Sequence, residues 1–558
     1  MTNFRHSLIA AAVIAAFPLA SAFAQQAPDA GQTLQQQQQR PSLPPKQGAG
    51  IDIQAPASPS TPSGGQQITL QSVSISGNRV FTDAQLQSVL GPVAGQSFGL
   101  AGLRGLAERI SAYYRATGYP FARAFLPPQP LNTGVLRIDV VEGQYGKVTV
   151  SGDTKLAPAA QGYLARLKPG QAIESTELER ATLILDDLPG VKVTPIIRPG
   201  QELGTGDLDV NVSRARAISG DVGVDNHGNR YTGQYRLHAN LQWDSPFLLG
   251  DQITVRSLLS DENMWLGSLG YSLPVGSSGL RAQVNYARTS YELGKDFATL
   301  DATGTADVIS AGLTYPLRRS QRSNLTIGAS LQHKKLHDEQ GAAASDNRKL
   351  SNSIPVSLQF DHRDVFGGGG ITYGTLVYTL GELKLDAGLQ ASDIASRQDT
   401  RGKFSKLNLD VARVQALPAG LSLFGRFSGQ WADRNLDSSE SFSLGGPFGV
   451  RAFPSGEGNG DAGWLVQAEV RYTMGDFMPY VFHDNGRAAI NARASRILPV
   501  VTDNHRTVGG GGVGLRYMRN DVWNADVNVS WRTQGGKPES DTSDRNPRVW
   551  FTLSYAFK

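Results

Sequence analysis

The sequence predicts a transmembrane β-barrel of about sixteen antiparallel strands preceded by two α+β modules, the strand number being even as bacterial barrels prefer. Three observations carry this expectation. Beyond about residue 216, apolar and polar positions alternate in segment after segment without a helical period. Between 68 and 214, one order of strands and helices occurs twice. The N-terminus reads as a secretory signal, and no later apolar run is long enough for a membrane-spanning helix.

Arg5 and His6 open the chain with basic character, Leu8 to Leu19 is apolar but too short to span a bilayer, and Ala22-Phe23-Ala24 fits a cleavage site. A signal peptide is therefore expected over 1–24. Residues 25–67 hold the polar run Gln35 to Gln39 and then Pro41, Pro44, Pro45, Pro56, Pro59 and Pro62. Such a composition buries no core and reads as a linker, whose part before Pro41 is either a short polar helix or a tail without structure.

In the first module, 68–143, Val73 to Asn78 is a short alternating strand ending in a turn. Thr82 or Asp83 can cap a helix carrying Leu86, Val89 and Leu90. Leu103, Leu106, Ile110 and Tyr113 share one face of a second helix, and Phe121 to Leu126 and Val135 to Val141 read as strands. The second module, 144–214, repeats the order with Val148 to Asp153, helices near Leu156 to Leu167 and Glu174 to Leu188, and strands at Val191 to Ile197 and Leu208 to Val212. Gly77 corresponds to Gly152, and Gly134 to Gly206.

The barrel is expected over 215–558. Tyr235, Leu237, Ala239, Leu241 and Trp243 alternate with polar neighbours, as do Trp464, Val466, Ala468, Val470 and Tyr472. Successive strand side chains point to opposite faces, so each segment has an apolar and a polar side. The polar side carries Arg, Asp, Glu and Gln, as a wet lumen needs, and Trp243, Trp531, Phe551 and Tyr555 sit near segment ends as interfacial girdles do. A hydrocarbon environment leaves a closed barrel as the only spanning β-structure.

Composition narrows the function. The chain has 558 residues, 63 Gly and no Cys, which removes disulfides, thiol catalysis and Cys-ligated metals. A formal charge of +4 is small for this length and gives no reason to expect nucleic acid as a partner. Gly458 to Gly463 fits a G-x-G-x-x-G pattern, but a strand rather than a helix follows, so no dinucleotide site is expected. No metal or cofactor is expected, no paired catalytic constellation stands out, and the chain does not read as an enzyme.

Tyr114 to Pro120 leads into Arg123-Ala124-Phe125-Leu126-Pro127-Pro128-Gln129, followed by Gly134-Val135-Leu136-Arg137-Ile138 and Val141-Glu142-Gly143. This resembles the first periplasmic POTRA module of two-partner secretion transporters, the haemolysin-activator and filamentous-haemagglutinin-transporter family. Its module motif falls here on Tyr119, Arg123, Leu126, Pro127, Pro128 and Gln129. Val450-Arg451-Ala452-Phe453-Pro454, in a Gly-rich loop over 440–463, is similar to the family's VRGY-type motif, with Ala452 in place of Gly and Phe453 in place of Tyr. Phe482-His483-Asp484-Asn485-Gly486 resembles its F-x-D-x-G strand motif.

The resemblance implies that the loop folds back into the pore and that Arg451 meets Asp484 inside the lumen, with Gly486 leaving room for the loop. A solvated pair of this kind contributes only about 0–1 kcal/mol, so its expected role is placement. The resemblance also implies an outer-membrane protein with its modules in the periplasm and a helix from the N-terminal stretch in the resting lumen. The implied partners are a large secreted exoprotein of haemolysin, adhesin or contact-dependent toxin type, the outer-membrane lipid, and the barrel assembly machinery during biogenesis. The implied activity is capture of the unfolded exoprotein and its export through the barrel without ATP. The alternative is an insertase that assembles other barrels.

Overall fold

The computed structural model describes residues 27–37 and 67–557. The expected signal peptide and most of the 25–67 stretch lie outside the described residues. The described part of that stretch holds a short helix, α1 (Ala30–Gln36).

The first module contains β1 (Ile68–Thr69), β2 (Ser72–Ser76), α2 (Asp83–Leu90), β3 (Ser97–Phe98), α3 (Leu100–Ala116), β4 (Arg123–Phe125) and β5 (Val135–Val141). Its main sheet runs β2-β5-β4, with β2 parallel and β4 antiparallel to β5. Thr82 closes a capping box with Gln85 at the start of α2. Leu103, Leu106, Ala107, Ile110 and Tyr114 of α3 are buried against Leu136 and Ile138 of β5. Tyr114, not the expected Tyr113, holds the fully buried position. Its hydroxyl donates to the buried Glu142 at 2.8 Å, and Glu142 also accepts from the Arg79 and Val80 amides at 2.6 and 2.7 Å. Burial and that carboxylate push the Tyr114 hydroxyl far above the tyrosine range, which keeps it a donor.

The second module has β6 (Gln144–Gly152), α4 (Ala157–Gln161), α5 (Ser175–Asp186), β7 (Val191–Pro199) and β8 (Thr205–Arg214), with sheet order β6-β8-β7. The repeat extends to the backbone. Gly77 and Gly152 both have positive φ, +85° and +102°, and a Cβ on either would sit 2.2 Å from a carbonyl oxygen, of Val140 or of Val212. Only glycine fits such a turn. Gly134 and Gly206 hold matching positions opposite the first strands but differ in conformation, since only Gly134 has a positive φ.

The remaining strands are β9 (Ile218–Asp225), β10 (Arg236–Asp244), β11 (Gln252–Ser260), β12 (Trp265–Pro274), β13 (Arg281–Glu292), β14 (Ala302–Arg318), β15 (Ser323–Gln340) and β16 (Ser345–Asp364). They continue with β17 (Gly370–Leu385), β18 (Gly402–Ala416), β19 (Leu421–Ala432), β20 (Ala462–Tyr472), β21 (Phe477–Ala489), β22 (His505–Arg519), β23 (Trp523–Gln534) and β24 (Arg548–Phe557). These sixteen strands form one closed antiparallel barrel, sealed where β24 pairs with β9 from Thr552 opposite Asp225 to Phe557 opposite Gly220.

Leu269, Leu313, Leu331, Leu380 and Val481 are exposed on the outer wall. Trp243 and Tyr555 lie at the module end of that wall, and Trp265, Trp464 and Trp531 at the far end. An apolar band between aromatic girdles is what a bilayer requires of a barrel exterior. Turns at the module end are short, such as 319–322 and 473–476, whereas the far end carries 386–401, with helix α6 (Ala387–Ser396), and 433–461, 490–504 and 535–547.

The second module docks on the short-turn end. Arg319 grips Asp187 through two bonds of 2.6 and 2.7 Å, Arg180 donates to the Pro316 carbonyl at 2.9 Å, and the Gln321 amide donates to Glu179 at 2.8 Å.

Candidate functional site: a loop clamped inside the barrel

The connection between β19 and β20 runs from 433 to 461 and folds into the lumen. It starts earlier than the expected 440, and it ends earlier than 463 because Ala462 and Gly463 already pair with Ala489 and Ala488 in the barrel ladder. Leu444, Val450, Ala452 and Phe453 of this loop form an apolar knot with the wall residues Leu465, Ala488 and Val508.

The wall is shaped to receive it. On β21, alternation turns Tyr480, Phe482, Asp484, Gly486 and Ala488 inward. On β22, facing Asp484, Phe482 and Tyr480, stand Gly510, Gly512 and Gly514. A Cβ at Gly510 would lie 2.3 Å from the Ala452 Cβ, and one at Gly512 would lie 2.6 Å from the Phe482 ring. A Cβ at Gly486 would lie 2.8 Å from Leu444 of the loop. Bare backbone on two strands thus provides the depth into which the loop settles.

Arg451 occupies the bottom of this hollow. Its Nε and Nη2 donate to the two Asp484 carboxylate oxygens at 2.8 and 2.7 Å, and its backbone amide adds a bond of 3.1 Å to the same group. Its Nη1 donates to Glu469 at 2.7 Å. The guanidinium lies 3.5 Å from the centre of the Phe482 ring. Its carbonyl oxygen accepts from Ser530 at 2.8 Å and from the Trp550 indole at 2.7 Å.

The structure therefore brings Arg451, Asp484, Phe482 and Gly486 together and packs Val450, Ala452 and Phe453 around them. The expectation of a solvated pair is corrected: Arg451 is 3% exposed and Asp484 0%. The apolar knot seals the pair from water, so breaking it leaves an uncompensated buried charge.

Two further acidic side chains, neither singled out by the sequence motifs, tether the loop. Glu440 pairs with Lys334 at 2.6 Å and Lys406 at 2.8 Å. Glu457 accepts from Arg506 at 2.8 Å and from the Ser540 amide at 2.9 Å. The signal for both was an acidic residue in a Gly-rich loop expected to fold into a lumen whose polar face carries Arg, Asp, Glu and Gln. Glu469 was legible as inward-facing, but not as the third partner of Arg451. Trp550 was not singled out: alternation with Phe551, which was expected to face lipid, places it on the inner face, but nothing local to it sets it against the Arg451 carbonyl.

Helix α1 also lies in the lumen. Asp29 caps it through the Gln32 amide at 2.8 Å and binds Lys349 at 3.0 Å and Ser438 at 2.6 Å. The Ala30 amide donates to Asp338 at 2.8 Å, and Ala30 is buried among Tyr231, Met264 and Tyr291.

The module motif stands apart from this assembly and maintains its own module. Tyr119 packs edge-on to Phe81 at 5.8 Å, and Leu126 covers the core. Past the paired residues of β4, the register places Pro127, which lacks an amide hydrogen, opposite Arg137. The Gln129 side chain takes over: its Oε1 accepts from the Arg137 amide and its Nε2 donates to the Arg137 carbonyl, both at 2.7 Å. Pro127 and Pro128 end the edge strand, and Arg123 stays exposed.

The family model for haemolysin secretion/activation proteins of the ShlB/FhaC/HecB type matches residues 204–517, and that for the ShlB-type POTRA domain matches residues 68–143. The chain belongs to the haemolysin secretion/activation family. Within that family, it is 28% identical to the heme/hemopexin transporter protein HuxB of Haemophilus influenzae strain 86-028NP, over 99% of this chain and 98% of the relative. It is 26% identical to the outer membrane transporter CdiB of Escherichia coli O6:K15:H31, over 80% of this chain and 77% of that one. The solved structure of CdiB from Escherichia coli shares the fold, with a TM-score of 0.72 at 20% identity, covering 91% of this chain and 94% of that one. The barrel is accordingly that of an outer-membrane transporter of this family.

Proposed function

We propose that this chain captures an unfolded secreted partner in the periplasm and passes it through the barrel lumen to the cell surface without ATP. The observation that carries the reading is a closed barrel whose lumen holds two segments of the same chain that are not part of its wall, α1 and the Arg451 loop, while two modules with sheet edges hang at the short-turn end. Short turns belong on the periplasmic side of bacterial barrels, which supports a periplasmic position for the modules. The edge strands β2, β6 and β7 offer main-chain hydrogen bonds to an extended segment with little demand on its sequence. Folding of the partner outside biases its motion, since a folded core cannot rebind within the pore.

The partner is a large exoprotein of haemolysin, adhesin or contact-dependent toxin type. Arg451 and Asp484 place the loop at rest and release it during passage, and α1 plugs what the loop leaves open. Removing residues 68–214 tests capture: export of the co-expressed partner stops while the barrel remains in the membrane. Export that continues overturns the capture step. Depletion that halts assembly of other barrels would instead assign the chain an insertase role.

A further inference from the structure

Where the second module meets the barrel, α5 and the turn 319–322 enclose a cavity of about 560 Å³. Arg166, Arg180, Arg318, Arg319 and Arg322 line it, against the carboxylates of Glu177 and Glu179. The docking contacts consume only part of this charge. Arg319 is paired with Asp187, and Glu179 is engaged by the Gln321 amide. Arg166, Arg318 and Arg322 form no ion pair among the described residues. The cavity also reaches the lipid-facing wall. Tyr315 and Leu317 line it and continue the outward column of Leu313 on β14, beside Ile327 on β15. Arg180 lies 5.9 Å from the centre of the Tyr315 ring and donates to its hydroxyl at 3.3 Å.

We infer that this joint binds the headgroup of an anionic phospholipid of the inner leaflet, with its acyl chains along Leu313, Leu317 and Ile327. Unpaired arginines at the level where an aromatic girdle meets an apolar wall suit a phosphate that is anchored in the bilayer. Arginine matches phosphate through its planar fork of donors. An acidic segment of the exported partner has the same charge, but the cavity opens beside outward-facing residues, away from the lumen. A lipid bound here bridges α5 and the 319–322 turn, and so holds the second module to the barrel.

The test uses the full-length protein reconstituted in nanodiscs of phosphatidylcholine containing a minority of phosphatidylglycerol, then released into detergent for native mass spectrometry. Wild type is expected to retain phosphatidylglycerol and not phosphatidylcholine. Arg318→Gln with Arg322→Gln is expected to lower that retention about fivefold for each arginine removed, the factor one basic group contributes near an anionic leaflet. Unchanged retention overturns the site. Should the double variant fail to assemble, photoreactive phosphatidylglycerol on the wild type decides: adducts within 313–322 support the site, and adducts found only elsewhere overturn it. A photo-cross-linker at Arg322 that captures the exported partner in place of lipid also overturns it.

Discussion

Arg451 satisfies its guanidinium with two carboxylates and an aromatic face while its own backbone anchors Ser530 and Trp550. Replacing it with Ala leaves Asp484 and Glu469 buried with one partner fewer, a cost of about 3–5 kcal/mol. Because the loop is a local element, that cost appears as loop release. Arg451→Ala is expected to give more and longer openings in planar bilayers and faster protease cleavage within 433–461, with the amount of assembled barrel unchanged. Arg451→Lys should fall short of restoring closure, since an ammonium cannot span both Asp484 oxygens or stack on Phe482 in the same way. Gly510→Val separates placement from charge: every charge remains, yet the new side chain meets Ala452, so the same openings are expected. The Arg451–Asp484 pair was readable because two short motifs resembled known ones. Glu469 was not, because alternation assigns a residue to the inner face but leaves open which inner residues meet the loop. That depends on the register, which sets Gln467 opposite Asp484 and Glu469 opposite Phe482.

At the scale of elements, the modules were legible where period and turn chemistry agreed, as in the Thr82 cap and the Gly77 and Gly152 turns. The choice of Tyr114 over Tyr113 was not, because it depends on Glu142, distant in sequence. In α5, burial raises the Asp186 carboxyl above its ordinary range and the charge of Asp187 adds to this, against the opposing effect of the Val193 amide bond. A raised carboxyl favours the folded state when protonated, so this contribution is present at acid pH and is lost as pH rises through the folded value. Asp186→Asn retains an acceptor for Val193 and removes the charge. It is expected to raise the thermal unfolding temperature of the module region at neutral pH, with the gain vanishing on acidification, as followed by hydrogen exchange on heating. Deleting residues 27–37 is expected to increase single-channel conductance, since α1 fills lumen that no wall residue replaces.

For the whole molecule, the closed barrel was the most legible feature, because lipid outside and water inside impose one pattern on every strand. Closure depends on a short seam. Removing residues 552–558 leaves β9 and β23 with unpaired edges in hydrocarbon, which no spanning structure tolerates. The expected result is loss of heat-modifiable protein from the outer-membrane fraction, checked by gel mobility with and without boiling. The docking of the second module was not legible, since Asp187 and Arg319 are far apart in sequence and each reads alone as a solvated surface charge.

Gly31 of α1 sits so close to the Ser438–Glu440 turn that a Cβ there would lie 2.2 Å from the Ser438 hydroxyl. That same turn belongs to the Arg451 loop and bears Glu440. The two stoppers are thus stacked like a bolt against its latch. On the export reading proposed above, withdrawing the helix would strip the turn of its ceiling and of the bond between Ser438 and Asp29, and because a shared contact couples both ways, departure of either stopper would make that of the other easier.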